Sequence, residues 1–242
     1  MSETDDATRL ARKFAEISRS LADSPSVERT MQEIVESATE VVDGAVSAGI
    51  TVVRRDGTIE TPAFTDDLVL EVDRAQLESG QGPCLEAGAE GELVKIEDMA
   101  TELRWPDFAQ RAESLGIGSM IACGLPAQRG TRAALNLHAP KPDAFDETAL
   151  QTASICAVHS SAALARVTLV DSLRTAVASR QGIGEATGIL MERHRVDSAQ
   201  AFEMLVRASQ SLNVKLRVIA EHVAHTGQDP AAITLADLAP LL

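Results

Sequence analysis

The chain has 242 residues, 45% of them hydrophobic and 24% charged, and a formal net charge of −14. This is globular composition with room for two domains. The acidity argues at first against a nucleic-acid partner, because polyanions repel, and no apolar run reads as approaching the roughly 20 residues that cross a bilayer.

The start, Met1–Asp6, is acidic and does not read as a secretory signal. Cys84, Cys123 and Cys156 are odd in number and widely spaced, which fits neither a zinc pattern nor a disulfide framework. The expectation is a cytoplasmic protein without a membrane partner. Its charge is uneven: the first 167 residues hold 15 Lys/Arg against 28 Asp/Glu, whereas residues 168–225 hold seven against six. Such asymmetry suggests that the two parts do different work.

Leu10, Phe14, Ile17 and Leu21 step by four, three and four, one stripe of an amphipathic helix. Ser24-Pro25 reads as the cap and first turn of a second helix. That helix buries Val27, Met31, Ile34, Val35, Ala38 and Val42 and stops at Asp43-Gly44. Val46–Arg55 and Thr58–Phe64 read as strands joined at Asp56-Gly57, with Pro62 confining the second to an edge or bulge. Residues 66–78 read as a short helix or an irregular segment before the loop Gly80-Gln81-Gly82-Pro83-Cys84. Glu92–Ile96 is a strand, Trp105-Pro106 opens a helix closed by Gly116, and Ser119–Ala127 and Thr131–Ala139 form a hairpin across Gln128-Arg129-Gly130. Hairpin links in this order predict an α+β domain, an antiparallel sheet with helices to one side.

Asp146 to about Gln181 lacks Pro and Gly and reads as one long helix. The rest is helical in pattern. Asp197 and Gln200 resemble a capping box before a helix burying Ala201, Phe202, Leu205 and Ala208. Asn213 reads as the N-cap of a last helix burying Leu216, Ile219, Ala220 and Val223, stopped by Gly227 and Pro230. Residues 228–242 are left unassigned.

The run Arg180-Gln181-Gly182-Ile183-Gly184-Glu185-Ala186-Thr187-Gly188-Ile189-Leu190-Met191-Glu192-Arg193 resembles the ANTAR signature. So does its continuation through Ala201-Phe202, Leu205, Ser209, Asn213, Lys215-Leu216 and Ile219-Ala220. The resemblance implies an all-α three-helix module that binds paired hairpins in nascent messenger RNA and controls transcription termination or translation. Many members have lysine where this chain has Thr187, so one phosphate-binding charge is gone. By element order, the Gly80–Cys84 loop and the two closing strands, residues 24–165 resemble a GAF domain, which implies small-molecule binding or dimerisation. The resulting layout is an N-terminal helix over 1–23 as a dimer contact, a GAF sensor over 24–165, an ANTAR domain over 166–227 and a tail over 228–242.

On a helix, Arg180, Gly184, Thr187, Met191 and Arg195 fall close to one line, with Ala186 and Gly188 alongside. Small residues let a loop base approach the backbone, and arginine meets phosphate or stacks on a base. The expected RNA-binding set is therefore Arg180, Gly184, Ala186, Thr187, Gly188, Met191, Arg193, Arg195, Ser209 and Lys215. The competing explanation of the small residues is close helix packing. The Leu10–Leu21 and Leu164–Val177 stripes predict a homodimer with the long helix near its axis. Asp66, Asp67, Glu71 and Asp73 suggest an uncharged or cationic ligand under a lid formed by residues 66–91.

Catalytic chemistry finds little support. Cys84 could start a helix, where a thiolate is favoured, but a small residue in a tight turn is the default reading. His194, His222 and His225 lack a completing ligand, and Gly80-Gln81-Gly82 lacks the setting of a dinucleotide site. The reading is a regulator, not an enzyme, without a cofactor or metal. A dimeric GAF scaffold acting as a protein-interaction adaptor is the alternative.

Overall fold

The computed structural model describes residues 3–54, 56–86, 92–125 and 131–241. The expected turn at Gln128-Arg129-Gly130, the last strand residue Arg55, the side chain of Leu10 and the 87–91 end of the expected lid lie outside the described residues.

The chain divides into two compact units, Met1–Leu169 and Val170–Leu242. The first contains helices α1 (Glu3–Asp23) and α2 (Val27–Val41), strands β1 (Ser47–Val53) and β2 (Ile59–Phe64), and helices α3 (Asp67–Ser79) and α4 (Pro83–Glu86). Strand β3 (Leu93–Ile96), helix α5 (Pro106–Ser114), and strands β4 (Ser119–Leu125) and β5 (Arg132–Ala139) follow. The sheet order is β2-β1-β5-β4-β3, antiparallel throughout. Pro62 sits on the edge strand β2, and the β1–β2 register shifts between Ile50 and Val52, so no ladder bond is lost in the interior.

Helices cover both faces of this sheet, which corrects the one-sided arrangement expected. Ile121, Cys123, Leu125, Leu135 and Leu137 pack with α1 and α2 and with the start of α6 (Glu147–His194). Met120, Ala122 and Ala134 pack with Val72 and Ala75 of α3 and Phe108, Ala109 and Ala112 of α5. The reason is alternation: β4 is buried at every position, so both sets of side chains need cover. Gly49 belongs to this packing, because a Cβ there would meet Val69 Cγ1 of α3 at 2.4 Å.

Several local readings shift. Ser26, not Ser24, caps α2; its hydroxyl accepts from Arg29 N–H at 3.2 Å, leaving Pro25 outside the helix. On α1, Phe14 and Leu21 are buried in the first unit's own core and Phe14 stacks on His159. Arg166 donates to the carbonyls of Leu21 and Ala22 at the end of α1, where helix carbonyls lack partners. All three cysteines are buried and unpaired. Burial pushes the Cys84 thiol up to about 12, opposite to the thiolate that a helix start would favour. Of the four acids expected to face a ligand, Asp66 caps α3, Asp67 and Glu71 are exposed, and only Asp73 turns inward, 3% exposed.

Desolvation raises the Asp73 carboxyl above its ordinary 3.8, against the opposing effect of its hydrogen bonds from Thr61, Thr51 and Gln76. A raised folded value means the native state holds this proton more tightly. Its stabilising contribution is full below 3.8 and is lost as pH rises through the folded value. Asp73→Asn removes the titrating group and should therefore flatten the decline above pH 4. Thermal melts of both proteins from about pH 4 to pH 8 check this; parallel curves would contradict it.

Helix α6 runs unbroken to His194, well past Gln181, through Gly182, Gly184 and Gly188. One 18-residue window of α6 is long and apolar enough to span a bilayer by length and composition alone, where no apolar run of that kind was expected. Its Ala149, Ala153, Cys156, Ala157 and Leu164 are buried in the core of the first unit.

In the second unit, α7 (Ser198–Leu212) and α8 (Leu216–Thr226) pack on the last turns of α6. Ala186, Leu190, Ala201, Leu205, Val218, Ile219 and Val223 are its core. Asp197 and Gln200 form the expected capping box. Asn213 instead ends α7 at φ 52°, a left-handed conformation that asparagine tolerates, and Lys215 precedes α8 without a side-chain cap. The unassigned tail is structured: a turn at Pro230–Ala232 and a helix α9 (Leu235–Leu238) bring Ile233 and Leu238 into this core.

Candidate nucleic-acid interface

Two sides of α6 differ within the second unit. On the α7 side, Arg180, Ile183, Gly184, Thr187, Gly188 and Met191 line an open groove of about 670 Å³ with Ser198, Ala199 and Phe202 of α7. No carboxylate lines it. On the α8 side, a groove of about 450 Å³ is lined by Gly182, Glu185, Arg217, Glu221 and His225. Phosphate favours the first and is repelled by the acids of the second.

The glycines carry the strongest signal. A Cβ built on Gly182, Gly184 or Gly188 would meet nothing within 4 Å. All three are helical, and none has the positive φ that glycine permits. Close packing therefore does not explain them, although each costs about 1 kcal/mol of helix stability relative to alanine. Gly184→Ala and Gly188→Ala should each stabilise the second unit by about that amount in urea unfolding. No gain at either position would show that the folded helix itself requires glycine.

Five of the ten expected residues meet at this groove: Arg180, Gly184, Thr187, Gly188 and Met191. Arg180 is exposed and has no ion-pair or hydrogen-bond partner among the described residues. The Thr187 hydroxyl donates to Ile183 O at 2.6 Å, so its methyl and backbone, rather than its O–H, are what it offers. Ala186 is not on this face; it is fully buried in the core. One position of a helix is about 100° of rotation, enough to carry Ala186 from the Thr187 side to the interior.

The remaining four are held elsewhere. Arg193 donates to the Gly227 carbonyl, tying the end of α6 to the end of α8. Arg195, at φ 54°, lies just beyond α6 and pairs with Glu192 at 3.0 Å. Ser209 donates to Val214 O at 2.6 Å and braces the α7–α8 loop. Lys215 is exposed, away from the groove lining.

Phe202 was expected in the core and is instead 42% exposed, forming a wall of the groove. The signal was present in the spacing: Ala201, Leu205 and Ala208 make the buried stripe, which turns residue 202 outward. An exposed aromatic ring beside open helix backbone and a free guanidinium can stack a base and neutralise its phosphate.

Among the described residues no group of three metal-ligating side chains converges. His194 meets Asp229 at 2.8 Å, His222 meets Gln228 at 2.7 Å and His225 meets the Glu221 carbonyl at 3.0 Å.

This arrangement, a two-faced sheet domain followed by a helical unit whose groove carries one arginine and no carboxylate, defines a class before it defines a family. Residues 24–165 match the GAF domain and residues 171–223 match the ANTAR domain. The first match takes in more than half of the chain, so the chain belongs to the GAF family and carries a C-terminal ANTAR domain. Both are regulatory domains, and the chain is a GAF–ANTAR regulator. No curated protein matches it. Among solved structures it is similar to the Stigmatella aurantiaca phytochrome photosensory core module, at 11% identity over 90% of this chain and 47% of that one, with a TM-score of 0.63. Bacteriophytochrome RpBphP3 from R. palustris gives 10%, 84%, 46% and 0.58 in the same order. The GAF domain of a phosphoenolpyruvate-protein phosphotransferase from Coxiella burnetii gives 14%, 69%, 98% and 0.52. This chain thus spans about half the length of the two phytochrome chains, and at these identities the likeness is one of fold.

Proposed function

We propose that this chain is an RNA-binding antitermination regulator, in which the ANTAR domain engages paired hairpins of nascent messenger RNA under control of the GAF domain. The observation that carries the reading is the pair of unexplained open glycines, Gly184 and Gly188, between a free Arg180 and an exposed Phe202. A splayed loop base lies on the helix backbone at the glycines and against the Phe202 ring, while Arg180 meets the adjacent phosphate. The proposed RNA-contacting set is Arg180, Gly184, Thr187, Gly188, Met191 and Phe202. Lys215 adds an outlying phosphate contact, and Arg193, Arg195 and Ser209 hold the unit's shape. Wild-type protein should select a paired-hairpin RNA over a scrambled RNA of the same length in a filter-binding titration, with affinity falling as salt rises. Equal binding of both RNAs would favour the adaptor reading.

The nearly neutral ANTAR segment gives one copy few phosphate contacts, and two copies on two hairpins compensate through effective concentration. Phe14 and Leu21 of the first expected stripe and Leu164 and Val167 of the second are buried within the first unit, which corrects that part of the dimer reading, whereas Leu173 and Val177 stay exposed. Helix α6 keeps an exposed apolar seam at Ile155, Val158, Ala162, Ala165, Leu169, Leu173 and Ala176. Those steps of three and four are coiled-coil spacing. A homodimer pairs α6 with α6 along this seam. Light scattering of the wild type at micromolar concentration should give twice the chain mass, and Leu169→Glu with Leu173→Glu should give the monomer. A monomeric wild type, with and without RNA, would sink the dimer.

A further inference from the structure

Asp73 lies in a closed ring of hydrogen bonds whose two arms both start at the Gln76 amide and both end on the carboxyl group. Thr51 and Thr61 hydroxyls donate to Asp73 Oδ2 at 2.7 and 2.5 Å, and Gln76 Nε2 donates to Oδ1 at 3.2 Å. Asn136 Nδ2 donates to Thr51 Oγ1 at 2.7 Å, and the Cys84 thiol donates to Asn136 Oδ1 at 3.1 Å. Gln76 closes the ring: its Nε2 also donates to Cys84 Sγ at 3.2 Å, and its Oε1 accepts from Cys84 N–H at 3.0 Å.

No cation completes this ring among the described residues. The basic residue next in sequence, Arg74, is exposed and bound to Glu71. A buried carboxylate without a counter-charge is costly, and an asparagine of the same shape would avoid the charge. The segment covering it, Gly80–Cys84, is held by side chains that can let go. Gln76 grips Cys84, and Gln81 exchanges two hydrogen bonds with Asp107, at 3.0 and 3.1 Å. Gly82, at φ 137°, lets Gln76 reach Cys84, because a Cβ there would lie 2.4 Å from Gln76 Oε1.

Cys84 supplies two donors, its N–H to Gln76 Oε1 and its S–H to Asn136 Oδ1. Lifting the segment would orphan both acceptors beside the Asp73 carboxyl. Cys84 Sγ also accepts from Gln76 Nε2, which keeps Asp73 Oδ1 as its acceptor when the thiol leaves. Whatever replaces Cys84 must therefore bring at least two donors and should bring positive charge. A primary ammonium, with three N–H donors and one charge, meets both demands; a neutral amide meets only the first.

We propose that Gly80–Cys84 is a displaceable strap and that a small primary ammonium ion takes the place of Cys84 against Asp73, Gln76 and Asn136. This rests on the reading of the GAF domain as a small-molecule sensor and names the ligand class and the segment that moves. Cys84 reports the event, because its thiol is buried and protonated while the strap is closed.

The test is iodoacetamide labelling of the full chain at neutral pH, with each cysteine quantified by mass spectrometry. The additions are methylammonium, putrescine, acetamide or acetate. Either amine should speed Cys84 labelling by about tenfold, while Cys123 and Cys156 stay slow, as expected for local opening. Acetamide and acetate should leave all three unchanged. Asp73→Asn, checked for folding by circular dichroism, should lose the response, and the comparison of amine with amide in wild type stands even if that variant fails to fold. Equal labelling with amine and acetamide, or an undiminished response in folded Asp73→Asn, overturns the proposal. A parallel thermal-shift arm uses a small-molecule cell extract. A shift with extract but no response to either amine overturns the ammonium strap and leaves the sensor reading; silence in every arm overturns both.

Discussion

Gly188→Glu should abolish hairpin binding while leaving the protein folded. The side chain would enter open space, since nothing lies within 4 Å of a Cβ at that position. Glutamate is also the better helix former by several tenths of a kcal/mol, so helicity should hold or rise. It would place bulk and negative charge where a base and its phosphate must approach. The expected loss is at least about 2 kcal/mol, roughly thirtyfold in Kd. Gly184→Glu should behave alike. Arg180→Ala should cost about 1 kcal/mol on every competent hairpin and reduce the dependence of affinity on salt. Glu203→Ala, which removes an exposed partner of Arg207, is the control and should change little. The measurement is a titration of paired-hairpin RNA at two salt concentrations. Folded Gly184→Glu and Gly188→Glu proteins that bind like wild type would remove the groove from consideration.

Two residues back along the same helix, Ala186→Glu should have the opposite character. Ala186 is fully buried in the cluster that contains Leu190, Ala201 and Leu205. A glutamate there overfills the core and buries a charge with no cation in the cluster. The expected cost, roughly 3–5 kcal/mol, rivals the whole stability of a unit this small. Loss of far-UV helicity and proteolytic cleavage confined to residues after Leu169 would be the signature. An Ala186→Glu protein with wild-type melting and protease resistance would mean that the core assignment is wrong.

The contrast between these two positions marks what the sequence could and could not tell. The face Arg180–Gly184–Thr187–Met191 was legible because helical spacing is strict. The exclusion of Ala186 was not, because alanine is equally at home buried or exposed and carries no polarity to betray its side. Phe202 was misread for the opposite reason: an aromatic residue is assumed to be core unless the neighbouring stripe is counted. In the first unit the strands were readable from their turns. Their two-sided burial lay in the unbroken apolar run of β4, which argues cover on both faces rather than one. Ser24 reads as the cap of α2, whereas the backbone places the cap two residues on, at Ser26. Asp73 was not separated from its exposed neighbours Asp67 and Glu71, because residues 66–78 read as a helix or an irregular segment, and only the helix places Asp73 on the buried face of Val69, Val72 and Gln76.

The ordered tail bears on how the C-terminal unit can be dissected. A fragment ending at residue 223, where the ANTAR match stops, would lack the last turn of α8 and the Gly227 carbonyl that receives Arg193. It would also lose Ile233 and Leu238, opening one side of a core that has few layers to spare. Failure of such a fragment to bind hairpin RNA would say nothing against the proposed groove. An excised ANTAR unit should therefore extend to Leu241, and an affinity tag belongs beyond that residue rather than at the end of α8.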